Sequence, residues 1–298
     1  MPTVPVNATE TGWKIATPKN FFSASVTGQS VKANADGTVA LAAGAINGSA
    51  RGLVLENNSL SPNSIVDVAA DEVILREAAS GFVYLAQNVS VTVNLAGTVG
   101  APGGLDTGAE AASTWYYIWL IFNGTTVAAL FSASFTSPVL PAGYTFKALV
   151  GAIFNNASSN LGRMLQLDTV VAIEEVFVFT AFAPPNNNIW NLLADAPLTA
   201  FRTAVPPIAR SCMGQSGGVN TNALGMTVAP CNKDGTVNSS PLGAVYTFAQ
   251  QYNGTGWDGW FLVNNYSVFV RGGANYNIQY KIASTAQRGR LTVTGFTL

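Results

Sequence analysis

The strongest constraint on the fold is a run of eight apolar and aromatic residues, 115–122, that ends in Asn123-Gly124 before a second β-prone stretch, residues 125–134. Asn-Gly between two such stretches is a strong hairpin signal, because both residues accept the positive φ of a type I′ turn. The first strand is apolar on both faces, so we expect it to be buried on both sides, inside a sandwich or at a subunit interface. The residues that we assign to this core or interface strand are Trp115, Tyr117, Trp119 and Ile121.

Most of the remaining chain consists of short β-prone segments separated by Gly, Asn and Pro turns. Residues 89–95 alternate apolar and polar side chains, which is typical of a half-buried strand. No long helix is expected, because Pro197 limits the one helical stretch, residues 191–196. The further predicted strands are residues 65–68, 72–75, 82–86, 144–154, 170–182, 201–203, 225–229, 244–250, 260–263, 267–270, 278–283 and 290–298.

This pattern predicts an all-β fold: an antiparallel β-sandwich or a jelly-roll-like arrangement, as one sandwich or as two stacked ones. Residues 1–63 have few bulky apolar side chains, so we expect an extended N-terminal arm that orders against a neighbour. Residues 64–183 are expected to form the sandwich core around the hairpin. Residues 184–298 are expected to form either a second β-rich domain or a continuation of the sandwich.

The composition favours assembly over electrostatic binding. Only 10% of the 298 residues are charged, the 14 basic and 15 acidic side chains are scattered, and 48% of residues are hydrophobic. So little charge excludes an electrostatic surface for nucleic acid and predicts a homo-oligomer. The longest apolar run is far below the about 18–20 residues of a membrane span, and residues 1–20 lack a signal-peptide pattern, which predicts synthesis and assembly in a cytoplasm.

The chain contains no histidine, which removes the usual general base of hydrolases and the commonest metal ligand. Residues 214–218 match the G-x-S-x-G pattern, but a serine nucleophile at Ser216 would lack its histidine. Cys212 and Cys231 are too few for a metal site; we expect two reduced core thiols, with a disulfide as the alternative. We therefore predict that the protein is not an enzyme and has neither a cofactor nor a metal.

Two other groups of residues are candidates for a site. Tyr252, Trp257, Trp260 and Tyr266 lie in or near a Gly-rich segment and form a candidate ligand or interface surface, although anchoring of the core is the simpler interpretation. Paired carboxylates hydrolyse glycosides without histidine, so a polysaccharide depolymerase remains an alternative. Its candidate acids are Asp67, Asp71, Glu72, Glu77, Asp106, Glu110, Glu174, Glu175, Asp195 and Asp258.

Three groups of stretches resemble a module that recurs in virion proteins of tailed bacteriophages, such as tail fibres and minor structural proteins. The stretches are residues 64–68 and 71–73; then 104–108, 113–116, 123–126, 130–132 and 140–144; and finally 204–210 and 291–296. The second group is the most specific, and the resemblance spans about residues 60–298.

This resemblance implies a β-rich virion subunit that forms homotrimers, contacts other virion proteins and is assembled in the host cytoplasm. The implied role is that of a tail-fibre, tail-tip or baseplate subunit that contacts a host-surface glycan or receptor, with the N-terminal arm as the attachment segment. A capsid decoration or head-fibre protein is the alternative.

Overall fold

The computed structural model of the chain describes residues 31–33, 39–41, 49–182, 190–219, 226–232, 234–247, 264–270, 276–282 and 288–298. These residues contain one helix, α1 (Asp195–Ala204), and every pairing between strands is antiparallel. The predicted all-β fold is confirmed.

The strands are β1 (Val31–Ala33), β2 (Val39–Leu41), β3 (Ala50–Arg51), β4 (Val54–Asn57), β5 (Ile65–Glu77), β6 (Val83–Asn94), β7 (Thr114–Phe122), β8 (Val127–Ser132), β9 (Phe146–Asn155), β10 (Met164–Leu167), β11 (Val170–Phe182), β12 (Asn191–Leu192), β13 (Ser211–Val219), β14 (Met226–Pro230), β15 (Val245–Thr247), β16 (Asn264–Phe269), β17 (Ile278–Ile282) and β18 (Arg288–Thr297).

Twelve strands form one sheet that folds into two layers. The hydrogen-bonded order is β16-β13-β18-β11-β10-β4-β5-β9-β7-β8, and β3 and β6 also pair with β5. The two halves of this sheet pack against each other: the rings of Trp115 in β7 and Phe296 in β18 lie 5.9 Å apart, and Gln166 in β10 donates a hydrogen bond of 2.7 Å to the Val150 carbonyl in β9. The smaller sheets have the orders β12-β17-β14-β15 and β1-β2.

The long strand β5 connects the two layers. It pairs with β4 through residues 66–69 and with β9 through residues 76–77, so its two ends lie beside different strands. Its buried positions are even-numbered up to Ala70 and odd-numbered from Val73, so the buried side of the strand changes near Asp71. Four short strands were predicted where β5 and β6 each run continuously, because this change of face interrupts the alternation of the sequence.

The predicted hairpin is present as β7 and β8, although its turn differs from type I′. Phe122 pairs with Val127, so four residues form the loop. Gly124 has a φ of 94°, but Asn123 keeps a negative φ and its side chain accepts hydrogen bonds from the backbone N–H groups of Thr125 and Thr126. Asn123 therefore closes the turn through its side chain, which is a common role of asparagine in turns.

Strand β7 is buried on both faces within a single chain. Ile118 and Leu120 belong to the main hydrophobic core, whereas Tyr117, Trp119 and Ile121 point the other way into a second cluster. Residues 133–144, which we call the covering segment, lie over this second cluster. The Trp119 indole donates to the Ser134 carbonyl at 3.1 Å, and the rings of Tyr117 and Phe135 are 5.4 Å apart.

The free edge of β8 is covered by residues 103–106. The Gly103 N–H donates to the Ala129 carbonyl at 2.8 Å, the Phe131 N–H donates to the Gly104 carbonyl at 2.9 Å, and the Asp106 N–H donates to the Phe131 carbonyl at 2.8 Å. The backbone groups on this edge of β8 are therefore paired inside the chain, as edge strands in soluble proteins commonly are.

The C-terminal half continues the sandwich. Strands β13, β16 and β18 belong to the twelve-stranded sheet, and the main core cluster contains residues from both halves, such as Ile118 and Leu291. The body also begins earlier than residue 64, because β3 and β4 pair with β5. Apart from β1 and β2, which pair with each other, residues 1–48 of the expected arm lie outside the described residues.

The predicted strand at residues 201–203 is wrong, because these residues lie in α1. Pro197 is the third residue of the helix, where a missing N–H removes no intrahelical hydrogen bond, so it does not prevent a helix that begins at Asp195. Phe201 is fully buried, and its apolar character is explained by packing against the core.

The burial of both faces of β7 can be tested with two matched substitutions. We expect Ile118→Ala and Ile121→Ala each to lower the free energy of unfolding by about 2–5 kcal/mol, because both side chains are fully buried on opposite faces. Urea denaturation measures both values. Val139→Ala, at a side chain that is 55% exposed, is the control and should change this free energy by less than about 0.5 kcal/mol. A similarly small effect of Ile121→Ala would contradict the role of the covering segment.

Candidate functional site

The predicted aromatic surface is not assembled within the described residues. Tyr252, Trp257 and Trp260 lie outside them. Tyr266 is described in β16, where its ring is buried and its hydroxyl donates a hydrogen bond of 2.8 Å to the Thr292 carbonyl. Burial raises the pKa of Tyr266 well above its ordinary value. Tyr266 therefore anchors the core and does not present its ring to a ligand.

The G-x-S-x-G pattern lies inside strand β13 and not at a turn. Ser216 is fully buried and pairs with Leu291 of β18 and Asn264 of β16, so it has a neighbouring strand on each side. A nucleophile elbow requires an exposed serine at a sharp strand-to-helix turn, which this geometry excludes. Gly214 has a structural explanation: a Cβ atom there would collide with the carbonyl of Thr292 on β18.

Gly214 provides a test of this explanation. We expect Gly214→Ala to lower the free energy of unfolding by about 1–3 kcal/mol or more, because the clash is with backbone of the neighbouring strand. Gly162→Ala is the matched control, since its added Cβ would lie 3.4 Å from the nearest atom, the Phe154 carbonyl oxygen, and should change this value by less than about 1 kcal/mol. Thermal or urea unfolding gives both numbers; equal stability of the two variants would refute the close-approach argument.

Several candidate carboxylates have structural partners. The Asp106 carboxylate is buried and accepts hydrogen bonds from the backbone N–H groups of Thr107 and Val139, which ties the covering segment to the loop beside β8. Glu72 forms an ion pair with Arg51 at 3.3 Å. Glu110 accepts a hydrogen bond of 3.1 Å from the Asn155 side chain. Asp258 lies outside the described residues.

Both cysteines are buried free thiols. Burial raises the pKa of Cys212, which keeps the thiol protonated at neutral pH. The Cys231 thiol donates to the Asn277 carbonyl at 3.1 Å. The two residues therefore fit the expectation of core thiols, and no disulfide joins them in this structure.

A cavity of about 310 Å³ opens between the two layers, where β9 ends and β10 begins. Thr203 of α1 and the exposed residues Arg163 and Glu174 are also among the residues that border it. The indole of Trp115 is held by a hydrogen bond of 2.7 Å from its N–H to the Arg202 carbonyl. The apolar and aromatic walls are formed by Trp115, Ile153, Phe154, Met164, Ile173 and Val176.

A second feature is an exposed apolar surface on the opposite side of the same sheet. The strand register places Leu167 beside Val54 of β4 and Val170 of β11, and the same row continues through Thr297 and Ser211 to Phe269. Leu165 lies on the same side of β10, opposite Glu56. The exposed fractions are 42% for Leu165, 54% for Leu167, 47% for Val170 and 67% for Phe269. We call Val54, Leu165, Leu167, Val170 and Phe269 the outer face.

In strand β10, apolar side chains face outward and a polar side chain faces the core, which is the reverse of an ordinary surface strand. Leu165 and Leu167 face outward, whereas Gln166 between them is buried and donates hydrogen bonds to the carbonyls of Val150 and Asp168. Sequence reasoning missed both the strand and the outer face. The signal for this strand was the alternation of side chains in residues 164–167. That signal suggests the wrong face, because the polar residue of the strand, Gln166, faces the core.

Comparisons with known proteins add no relatives: no family model matches the chain, and the curated proteins and the solved structures give no match. In the part of the chain that the structure describes, no helix has the length and apolar character needed to cross a membrane. The same residues contain no group of three or more acidic or cysteine side chains that could hold a metal ion.

Proposed function

We propose that this chain is a structural subunit of a tailed-bacteriophage virion and assembles with copies of itself through the outer face. The observation that carries the assembly is the inverted polarity of β10. A surface strand that places two leucines outward and a glutamine inward leaves apolar side chains exposed to water in a monomer. The arrangement is favourable when the outward side also becomes buried, because burying a leucine side chain fully contributes about 1.5–3 kcal/mol.

The surroundings of the outer face suit the same role. Its row crosses six strands, from β4 to β16, and contains only apolar and hydroxyl side chains. Charged residues stand in the neighbouring row: Glu56 lies opposite Leu165, and Asp67 of β5 is paired with Glu56. A contiguous surface with so little charge resembles the cores of subunit interfaces, from which charged side chains are depleted.

The bacteriophage part of the proposal depends on the resemblance. Its most specific stretches lie together in the fold: residues 104–106 cover the edge of β8, residues 123–126 form the hairpin turn, and residues 140–144 close the covering segment. These stretches thus build one structural unit around β7. This agreement favours a virion module, with a tail-fibre, tail-tip or baseplate role first and a capsid decoration or head fibre as the alternative.

The assembly is tested by placing a charge on the outer face. We expect the wild-type protein to be oligomeric by light scattering at micromolar concentration, with a homotrimer as the favoured state. Leu167→Lys should shift it towards the monomer, because the ammonium group must lose its hydration when the face is buried. Leu60→Lys is the matched control, since Leu60 is 91% exposed and lies in the loop between β4 and β5.

Circular dichroism of both variants should remain that of the wild type, because neither leucine is a core residue. A monomeric wild-type protein would overturn the assembly, and an oligomer that tolerates Leu167→Lys as well as Leu60→Lys would exclude this face.

The place in a virion requires a separate experiment. An antibody against this chain, applied to phage particles from a strain that carries the coding sequence, should label the tail when viewed by electron microscopy. Labelling of the capsid would support the decoration role instead. Purified particles that neither bind the antibody nor contain the chain by mass spectrometry would overturn the virion proposal.

A further inference from the structure

We infer that the cavity between the two layers binds one uncharged apolar residue, whose amino and carboxyl groups are both in amide bonds, through the backbone of Ala152. The cavity is distinct from the outer face, and the inference does not depend on the proposed assembly. Its volume of about 310 Å³ lies at the lower end of the about 300–1,000 Å³ that is usual for ligand pockets. This size suits a single residue better than an oligosaccharide or a long peptide.

The edge of β9 that faces β10 is only partly paired. The Phe154 carbonyl accepts a hydrogen bond of 2.8 Å from the Gly162 N–H, and the Val150 carbonyl accepts the hydrogen bond of 2.7 Å from the Gln166 side chain. Ala152 lies midway between these two positions. Because backbone groups alternate in direction along a strand, the N–H and C=O of Ala152 point to the same side as the Phe154 carbonyl, towards β10.

These two backbone groups of Ala152 are left without a partner by the described part of the chain. Tyr117 stands opposite Ala152 on β7, and from the β10 side no hydrogen bond of a described residue reaches the Ala152 N–H or C=O. Ala152 is nevertheless fully buried, and it is one of the residues that line the cavity. Buried backbone donors and acceptors are almost always paired, so a molecule in the cavity is the partner that these groups require.

The neighbouring donor and acceptor define the polar part of the ligand. One extended residue satisfies both groups at once, because its N–H donates to the Ala152 carbonyl and its C=O accepts from the Ala152 N–H, as two opposite residues do in an antiparallel sheet. The interval from Val150 to Phe154 spans about 13 Å along the strand. Both of its ends are closed by the existing hydrogen bonds, so it accepts one residue and not a full strand.

The walls of the cavity select an apolar side chain without charges. The Trp115 indole N–H already donates to the Arg202 carbonyl, so its ring contributes apolar surface and not a free donor. The strand register places Arg163 and Glu174 on the outward side of β10 and β11, so their charges point away from the cavity. A free amino acid would therefore bring two unpaired charges into the site, which is unfavourable. The apolar side chains of the walls are Trp115, Ile153, Phe154, Met164, Ile173 and Val176.

N-acetyl-L-phenylalaninamide is the probe, because it carries the N–H and C=O of one residue, an aromatic side chain and no charge. Isothermal titration calorimetry with the full chain should show saturable binding. N-acetyl-N-methyl-L-phenylalaninamide is the matched control compound: it keeps the ring, but its methylated nitrogen cannot donate to the Ala152 carbonyl. We expect it to bind at least tenfold more weakly, because a buried acceptor then loses its hydrogen bond.

Two neighbouring residues in the loop between β9 and β10 provide matched variants. Ala157 and Ser158 are both exposed, but Ala157 lines the cavity and Ser158 does not. We expect Ala157→Trp to weaken the binding of N-acetyl-L-phenylalaninamide at least tenfold, because the added indole obstructs the cavity, whereas Ser158→Trp should leave the affinity unchanged. Both variants should fold, since both positions are exposed, and urea denaturation checks this.

The backbone contact has its own readout in protein labelled with ¹⁵N-alanine. The amide resonance that Ala152→Gly removes should move downfield when the probe binds, because the Ala152 N–H gains a hydrogen bond.

Four outcomes would overturn the inference: no binding of the probe at millimolar concentration, equal binding of the N-methylated compound, equal affinities for Ala157→Trp and Ser158→Trp, or an Ala152 resonance that does not move. The oligomeric state of the same samples, measured by light scattering, keeps a failure of this inference separate from a failure of the assembly.

Discussion

The burial of β7 on both faces is the constraint on which the rest of the structure depends. A strand that carries large apolar side chains on each side needs two covers, and this chain supplies both. The first is the layer that contains β18 and β10; the second is the covering segment. The buried Asp106 carboxylate fixes part of that segment by accepting the Val139 N–H, so a charged group stabilises the cover of an apolar cluster. The hairpin thus forms an internal core, and the surface that we propose for assembly lies elsewhere.

The outer face and the cavity lie on opposite sides of the same strands. In β10 and β11, the inward side chains line the cavity or fill the core, while Leu165, Leu167 and Val170 face outward. The inward position of Gln166 is stabilised by one hydrogen bond across the layers, to the Val150 carbonyl, and one to the nearby Asp168 carbonyl, since a buried amide without partners would cost several kcal/mol. A single hydrogen-bonded glutamine therefore allows leucines to occupy the exposed side.

The sequence predicted the fold class, the hairpin and most strands of the second half, because these depend on local alternation and turn residues. It did not predict that β5 and β6 are continuous, because the buried face of β5 changes near Asp71. It also did not predict the helix around Phe201, because the apolar residues there are compatible with a helix or a strand. The candidate site was less accessible still. The walls of the cavity come from β7, β9, β10 and β11, which meet only in the folded chain. The outward leucines of β10 alternate with Gln166, a buried polar residue of a type that is usually exposed.

The covered edge of β8 limits how copies of this chain can associate. With its backbone groups satisfied by residues 103–106, this end of the twelve-stranded sheet cannot accept a strand from another molecule, so a continuous intermolecular sheet cannot grow from it. Contacts at this end must be made by side chains. Association through a side-chain surface is governed by the angle at which two faces meet, and that angle decides whether copies would close into a ring or extend as an open polymer.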